Sequence, residues 1–163
     1  MAKKVAFSGV FAACALIFSY VEYMVPINIG VPGIKPGLAN IVIIIALYCL
    51  GVKYALAINI VRVIMSALLF SGVLGMAFGL TGGILSVIVM AALLKLDIFS
   101  IAGISAVGGI IHNMGQLLVA AIVIADFAVF YYFPVLLISG ALTGFFVGLL
   151  ANIVIKRGGI KNG

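Results

Sequence analysis

At 163 residues, 67% of them hydrophobic and 7% charged, with a mean hydropathy of +1.50, the chain is too apolar for a soluble domain, which typically has about 25% charged residues. Its net charge of +6 does not point to nucleic acid, because the basic residues sit at the ends of apolar runs and form no stripe. Composition therefore predicts an all-α integral membrane protein, one domain over residues 1–163, with no nucleic-acid partner.

The first apolar run covers about 5–24. Ser8, Ala12, Ala15 and Ser19 follow at i, i+4, i+7, i+11, with Glu22 next on the same stripe. Small stripes let membrane helices approach closely, so this spacing predicts that Glu22 faces the bundle. Ala2, Ala6, Gly9 and Ala13 form a second small series on an adjoining face, suited to docking another subunit. Met1-Ala2-Lys3-Lys4 ahead of the run resembles a signal peptide, but further spans follow, so it reads as a retained first helix. Val25 to Pro36 carries three prolines and two glycines and reads as an apolar loop that lies over the bundle mouth as a lid, with Lys35 its one charge.

A second, short span is expected over 37–50, opened by Pro36-Gly37 and holding Asn40 in its first turn. A third, over 54–70, puts Arg62 near its centre with Asn59 and Ser66 on the same face; Glu22 or Asp126 is the expected partner of Arg62. The fourth (73–94) repeats Gly75, Gly79 and Gly83. The fifth (99–124) contains the chain's single histidine, with Gly108, His112 and Gln116 on one face and Asn113 beside them. Tyr131, Tyr132 and Pro134 mark an interfacial step into the sixth (134–155), where Gly140, Gly144 and Gly148 repeat. Both glycine stripes read as packing surfaces, and neither has the lysine-serine or lysine-threonine pair of a phosphate-binding loop. Cys14 and Cys49 lie inside apolar runs and read as buried small apolar residues, not as a disulfide or metal site.

Six spans with both termini cytoplasmic leave Lys3, Lys4, Lys53, Lys95, Lys156, Arg157 and Lys161 inside and Lys35 outside, a seven-to-one split that fits the positive-inside rule. Ionisable and amide groups within spans are costly and mark functional sites by default. Glu22, Asn40, Arg62, His112, Asn113 and Gln116 lie at similar depths on four spans, so one outward-opening pocket can collect them; the competing reading is an ion pair and amide ties between helices. Catalysis has little support. Glu22, Asp97 and Asp126 are the chain's three acids and form no acid–base pair or magnesium cluster. One histidine and two separated cysteines make no usual zinc site. No catalytic residue, metal or cofactor is expected, and no channel filter or internal repeat is evident.

Two segments carry a family resemblance. Val31-Pro32-Gly33-Ile34-Lys35-Pro36-Gly37-Leu38-Ala39-Asn40-Ile41 and Gly109-Ile110-Ile111-His112-Asn113-Met114-Gly115-Gln116-Leu117 resemble the Gx transporter family, often labelled heptaprenyl diphosphate synthase component I. That family is similar to the substrate-binding S components of energy-coupling-factor (ECF) vitamin importers, small six-helix proteins of the prokaryotic cell membrane. The resemblance implies a membrane coupling subunit and two ATPases as partners, a small-molecule substrate taken from the outer side, and docking through Ala2, Ala6, Gly9 and Ala13, or Ser8 and Ala12. On the importer reading, Glu22, Arg62, His112, Asn113 and Gln116 form the polar floor and walls of the substrate site, with Asn40 at its rim, and Arg62 and Lys35 meet an anionic or carbonyl group. Polyprenyl diphosphate synthases resemble one another in paired aspartate-rich motifs, and this chain has two isolated aspartates. Two further expectations stand beside the importer subunit: a membrane accessory of a prenyl diphosphate synthase, or a small permease acting alone.

Overall fold

The computed structural model describes residues 2–25 and 36–158. Most of the expected lid, including Lys35, lies outside the described residues. Six α-helices follow in order: α1 (Ala2–Met24), α2 (Leu38–Leu50), α3 (Val52–Ser66), α4 (Gly72–Leu96), α5 (Ile101–Ile124) and α6 (Phe133–Arg157). A π-helical turn, Ala67–Ser71, joins α3 to α4, and a 3-10 helix, Phe127–Tyr132, precedes α6. Four helical stretches are long and apolar enough to cross a membrane: Ala2–Met24, Val52–Leu96, Ile101–Ile124 and Phe127–Arg157. The chain is thus a helical membrane protein.

Local chemistry sets the breaks. Gly51 (φ 93°, ψ 173°) and Gly72 (φ 70°, ψ 179°) take backbone conformations closed to residues with a Cβ, and each reverses the chain where no longer loop exists. The stretch Val52–Leu96 is accordingly a hairpin: Gly79 packs on Val63 and Gly83 on Asn59, so α3 and α4 run antiparallel. Ser100 caps α5 by accepting from Gly103 N (3.1 Å), and Asp126 caps the 3-10 helix by accepting from Ala128 N (2.8 Å). The segment between α5 and α6, which carries Tyr131 and Tyr132, is thus a short 3-10 helix. Asp126 is spent on this cap and is not the partner of Arg62.

The core is centred on α2. From Val42 to Tyr48 every residue is buried, with Ile43, Ile44 and Leu47 at 2% exposure or less. A helix apolar all round must be covered all round, and α1, α3, α4 and α6 supply the cover. Its 13 residues reach about 20 Å at 1.5 Å per residue, less than the roughly 30 Å of a bilayer's hydrocarbon. In α1 the Ser8, Ala12, Ala15, Ser19, Glu22 stripe turns inward, and only Ala15 is fully buried, while Ala2, Ala6, Gly9 and Ala13 face outward. Cys14 is exposed and Cys49 partly so, correcting the expectation that both are buried.

α5 and α6 meet backbone to backbone. A Cβ on Gly109 would collide with the Gly140 carbonyl oxygen, and one on Gly144 with Ser105 O and, at 3.0 Å, Ala106 Cα. One on Gly148 would come within 2.6 Å of Ala102 Cα. Gly140, Gly144 and Gly148 are the contact surface itself, as small residues permit where lipid offers no competing gain. Gly144→Leu is expected to force these helices apart and cost about 1–3 kcal/mol, the usual range for overpacking. The check is the thermal unfolding midpoint in detergent, with the outward-facing Leu142→Ala as the variant expected to change little.

Candidate functional site

Between the helices lies a cavity of about 540 Å³. Its lining includes Glu22 from α1, Asn40 from α2, Arg62 from α3 and His112, Asn113 and Gln116 from α5. Six of the seven residues singled out as substrate-binding candidates thus border one space; Lys35 lies outside the described residues. Apolar side chains complete the wall: Phe70, Phe78, Leu117, Ile124, Val129 and Leu136, with Tyr23 and Tyr132. At its far end, toward the basic helix termini, are Ser86, Met90, Ser105, Gly108 and Val147.

Arg62 is buried at 9% exposure. Its Nη1 donates to Ser19 Oγ (3.1 Å) and its Nη2 to Asn59 Oδ1 (2.8 Å). Its Nε has no hydrogen-bond partner among the described residues, nor does Asn59 Nδ2. Glu22 is close enough to act on Arg62 electrostatically, but its carboxylate also accepts from Leu38 N, the first amide of α2, at 2.5 Å. The expected partnership of Arg62 with Glu22 is therefore one of charge, with the hydrogen bonds supplied by two neutral side chains. Ser19 and Asn59 were not among the candidates, yet a signal existed for each. Both stand three residues from an ionisable group on the same helical face, Ser19 before Glu22 and Asn59 before Arg62.

Glycines create the room. Gly83 lies directly against the Asn59 amide, where any Cβ would clash, and Gly82 lies against His112, a Cβ there coming within 3.1 Å of its Nδ1. Gln116 Nε2 lies 3.1 Å from His112 Nε2. An amide nitrogen can only donate, so this contact leaves the proton of a neutral His112 ring on Nδ1. Asn113 Nδ2 donates to Leu136 O (2.8 Å) and Ser86 Oγ to Gly108 O (2.8 Å). These two side chains tie α5 to α6 and α4 to α5 while bordering the cavity.

Aromatic rings close one flank. Phe70, in the π-helical turn, stacks obliquely on Tyr20 (ring centroids 5.5 Å apart) and Tyr23 (5.1 Å). A π turn adds a residue to the helical cycle and re-aims the side chains after it; here it brings Phe70 and Ser71 to the cavity. Among the described residues no three His, Cys, Asp or Glu side chains group as they would to hold a metal ion.

In chemical terms the space is a mostly apolar chamber with a polar girdle that, among the described residues, holds one cation, one acid, an imidazole and three amides beside several hydroxyls. That combination suits an amphipathic molecule with hydrogen-bonding groups at one place on its surface. No curated protein and no solved structure gives a match to the chain. A family model does match, over residues 11–154, and so spans α2 to α5 entire with most of α1 and α6. By that match the chain belongs to the family described as heptaprenyl diphosphate synthase component I.

Proposed function

We propose that this chain is the substrate-binding membrane subunit of an importer of the ECF type, capturing a small vitamin-like or amphipathic metabolite at the outer face of a prokaryotic cell membrane. The observation that carries the reading is the cavity itself. Glu22 of α1, Asn40 of α2, Arg62 of α3 and His112, Asn113 and Gln116 of α5 all border a chamber of about 540 Å³, within the usual range for small-molecule sites of about 300–1,000 Å³. A helix bundle held only by polar ties needs no such space. The cavity's apolar rim lies where α1 and α5 end, and the basic residues Lys53, Lys95, Lys156 and Arg157 stand at the opposite helix ends. With six crossings and those ends cytoplasmic, the rim faces outward. The outward-turned Ala2, Ala6, Gly9 and Ala13 of α1 offer a smooth face to a membrane coupling subunit, with two ATPases supplying the energy.

The family description favours a second reading, a membrane component working with heptaprenyl diphosphate synthase. In it the chain is an accessory without its own catalytic machinery, and the cavity serves a lipid-like ligand. The two readings differ in partner. Purification from native membranes in mild detergent, with mass-spectrometric identification of bound proteins, is expected to recover a membrane coupling subunit and paired ATPases. Recovery of a prenyl diphosphate synthase in their place would transfer the assignment to the accessory reading. Recovery of the chain alone, with flux in liposomes, would make it a permease acting by itself.

The orientation has its own check. In a background with Cys14 and Cys49 replaced by Ser, Lys53→Cys and Lys95→Cys are expected to resist a membrane-impermeant maleimide in intact cells, and Phe127→Cys to react. The reverse pattern would place the cavity mouth in the cytoplasm and sink the uptake reading.

A further inference from the structure

Taking the cavity as a ligand site, we infer that the ligand has an acidic head, a carboxylate or a phosphate monoester, seated between Arg62 and the amino end of α2, with an apolar body lying toward Phe70, Phe78 and Ile124. Two independent observations meet at this spot. The first is Arg62, a side chain nine-tenths buried that borders the cavity and whose Nε, itself shielded by its surroundings, has no hydrogen-bond partner among the described residues. A buried donor left unpaired is costly, and a charged one more so, so Arg62 gains from any acceptor that comes against its guanidinium. The other two guanidinium nitrogens are held by Ser19 and Asn59, which fixes the plane of the group.

The second is the start of α2. Its capping residue, Gly37, borders the cavity and supplies no side-chain cap. The first-turn amides of a helix carry a partial positive charge and favour anions. One of them, Leu38 N, already donates to a carboxylate, that of Glu22. Glu22 reaches it from α1 on a long, flexible side chain. The molecule thus demonstrates with its own Glu22 that this end of α2 accepts an acid, and an incoming acidic head competes for the same donors. Among the described residues bordering the cavity, Arg62 is the one fixed cation and Glu22 the one acid. The amino end of α2 adds partial positive charge beside them.

The remaining wall accounts for the rest of the ligand. Phe70, Phe78, Leu117 and Ile124 offer no hydrogen bond and shield the head from water, which strengthens its attraction to Arg62. A head that also reaches a neighbour has His112 and Asn40 on the same cavity.

The test uses the full chain in lipid nanodiscs and three short probes: hexanoate, hexyl phosphate and the uncharged hexanamide. Saturable rises of the thermal unfolding midpoint with the acids, at least tenfold tighter than with the amide, are the expected result. A response to hexanoate alone assigns a carboxylic acid, and to hexyl phosphate alone a phosphate monoester. Arg62→Gln is expected to weaken acid binding at least tenfold. Should that variant fail to fold, Arg62→Lys keeps the charge without the Nε–H geometry and is expected to weaken it several-fold. Glu22→Gln, which removes the resident competitor, is expected to tighten it several-fold. Equal affinity for acid and amide, or acid binding indifferent to Arg62, would overturn the acidic head while leaving the cavity as a ligand site. No response to any probe would overturn both.

Discussion

A guanidinium can sit deep among apolar helices only if its donors find acceptors, and Arg62 sets that requirement for this bundle. An arginine at the centre of a membrane helix costs about 2.5–3.5 kcal/mol on insertion scales, and the surroundings are arranged to offset the cost. Ser19 on α1 and Asn59 on α3 each take one end of the group. Glu22 contributes opposite charge. The small residues of α1 that allow it to lie near α3 also bring Ser19 within reach, and Gly83 on α4 leaves the space that the Asn59 amide fills. Three helices are thereby positioned with reference to one side chain.

The bundle uses two different packing solutions on either side of the cavity. Around α2, large branched side chains interdigitate, and Ile43, Ile44 and Leu47 are fully covered. Between α4, α5 and α6 the contacts are made by glycines and backbone, as at Gly109 against Gly140 and Gly115 against Gly82. Close backbone approach in the second region draws helices together without filling the space beside them. The polar side chains of α5 then project past the seam, which explains how so small a chain encloses a chamber at all.

Much of this was legible in the sequence because depth in a membrane is read from apolar run length and charge position. The inward stripe ending at Glu22 followed from spacing, as did the single face shared by Asn59, Arg62 and Ser66, all three buried. What spacing could not give was which partner Arg62 would choose. Ser19 looked like one small residue in a packing stripe, and a serine serves equally well as spacer and as acceptor. Asp126 looked available, but a carboxylate just ahead of a short helix finds amides two residues away before it finds a distant cation. The π turn at Ala67–Ser71 was also hidden, since its composition is that of any apolar helix end and only packing selects it. Cys14 failed as a buried residue for a related reason: in a membrane chain, apolar character does not separate lipid-facing from core positions.

The enclosure of α2 bears on how the chain is made. Helices emerge from the ribosome in order, and a newly inserted α2 has only α1 beside it. Its covering by Val147, Ala151 and Ile155 of α6, which belong to the same core cluster, waits until α6 has been synthesised. Until then α2 rests its apolar surface on lipid, which its composition permits without penalty. Gly37 approaches Val147 as well, at 3.4 Å from a Cβ built there. The wall of the chamber is therefore completed only when α6 arrives, and a ribosome-bound intermediate lacking α6 has no finished pocket.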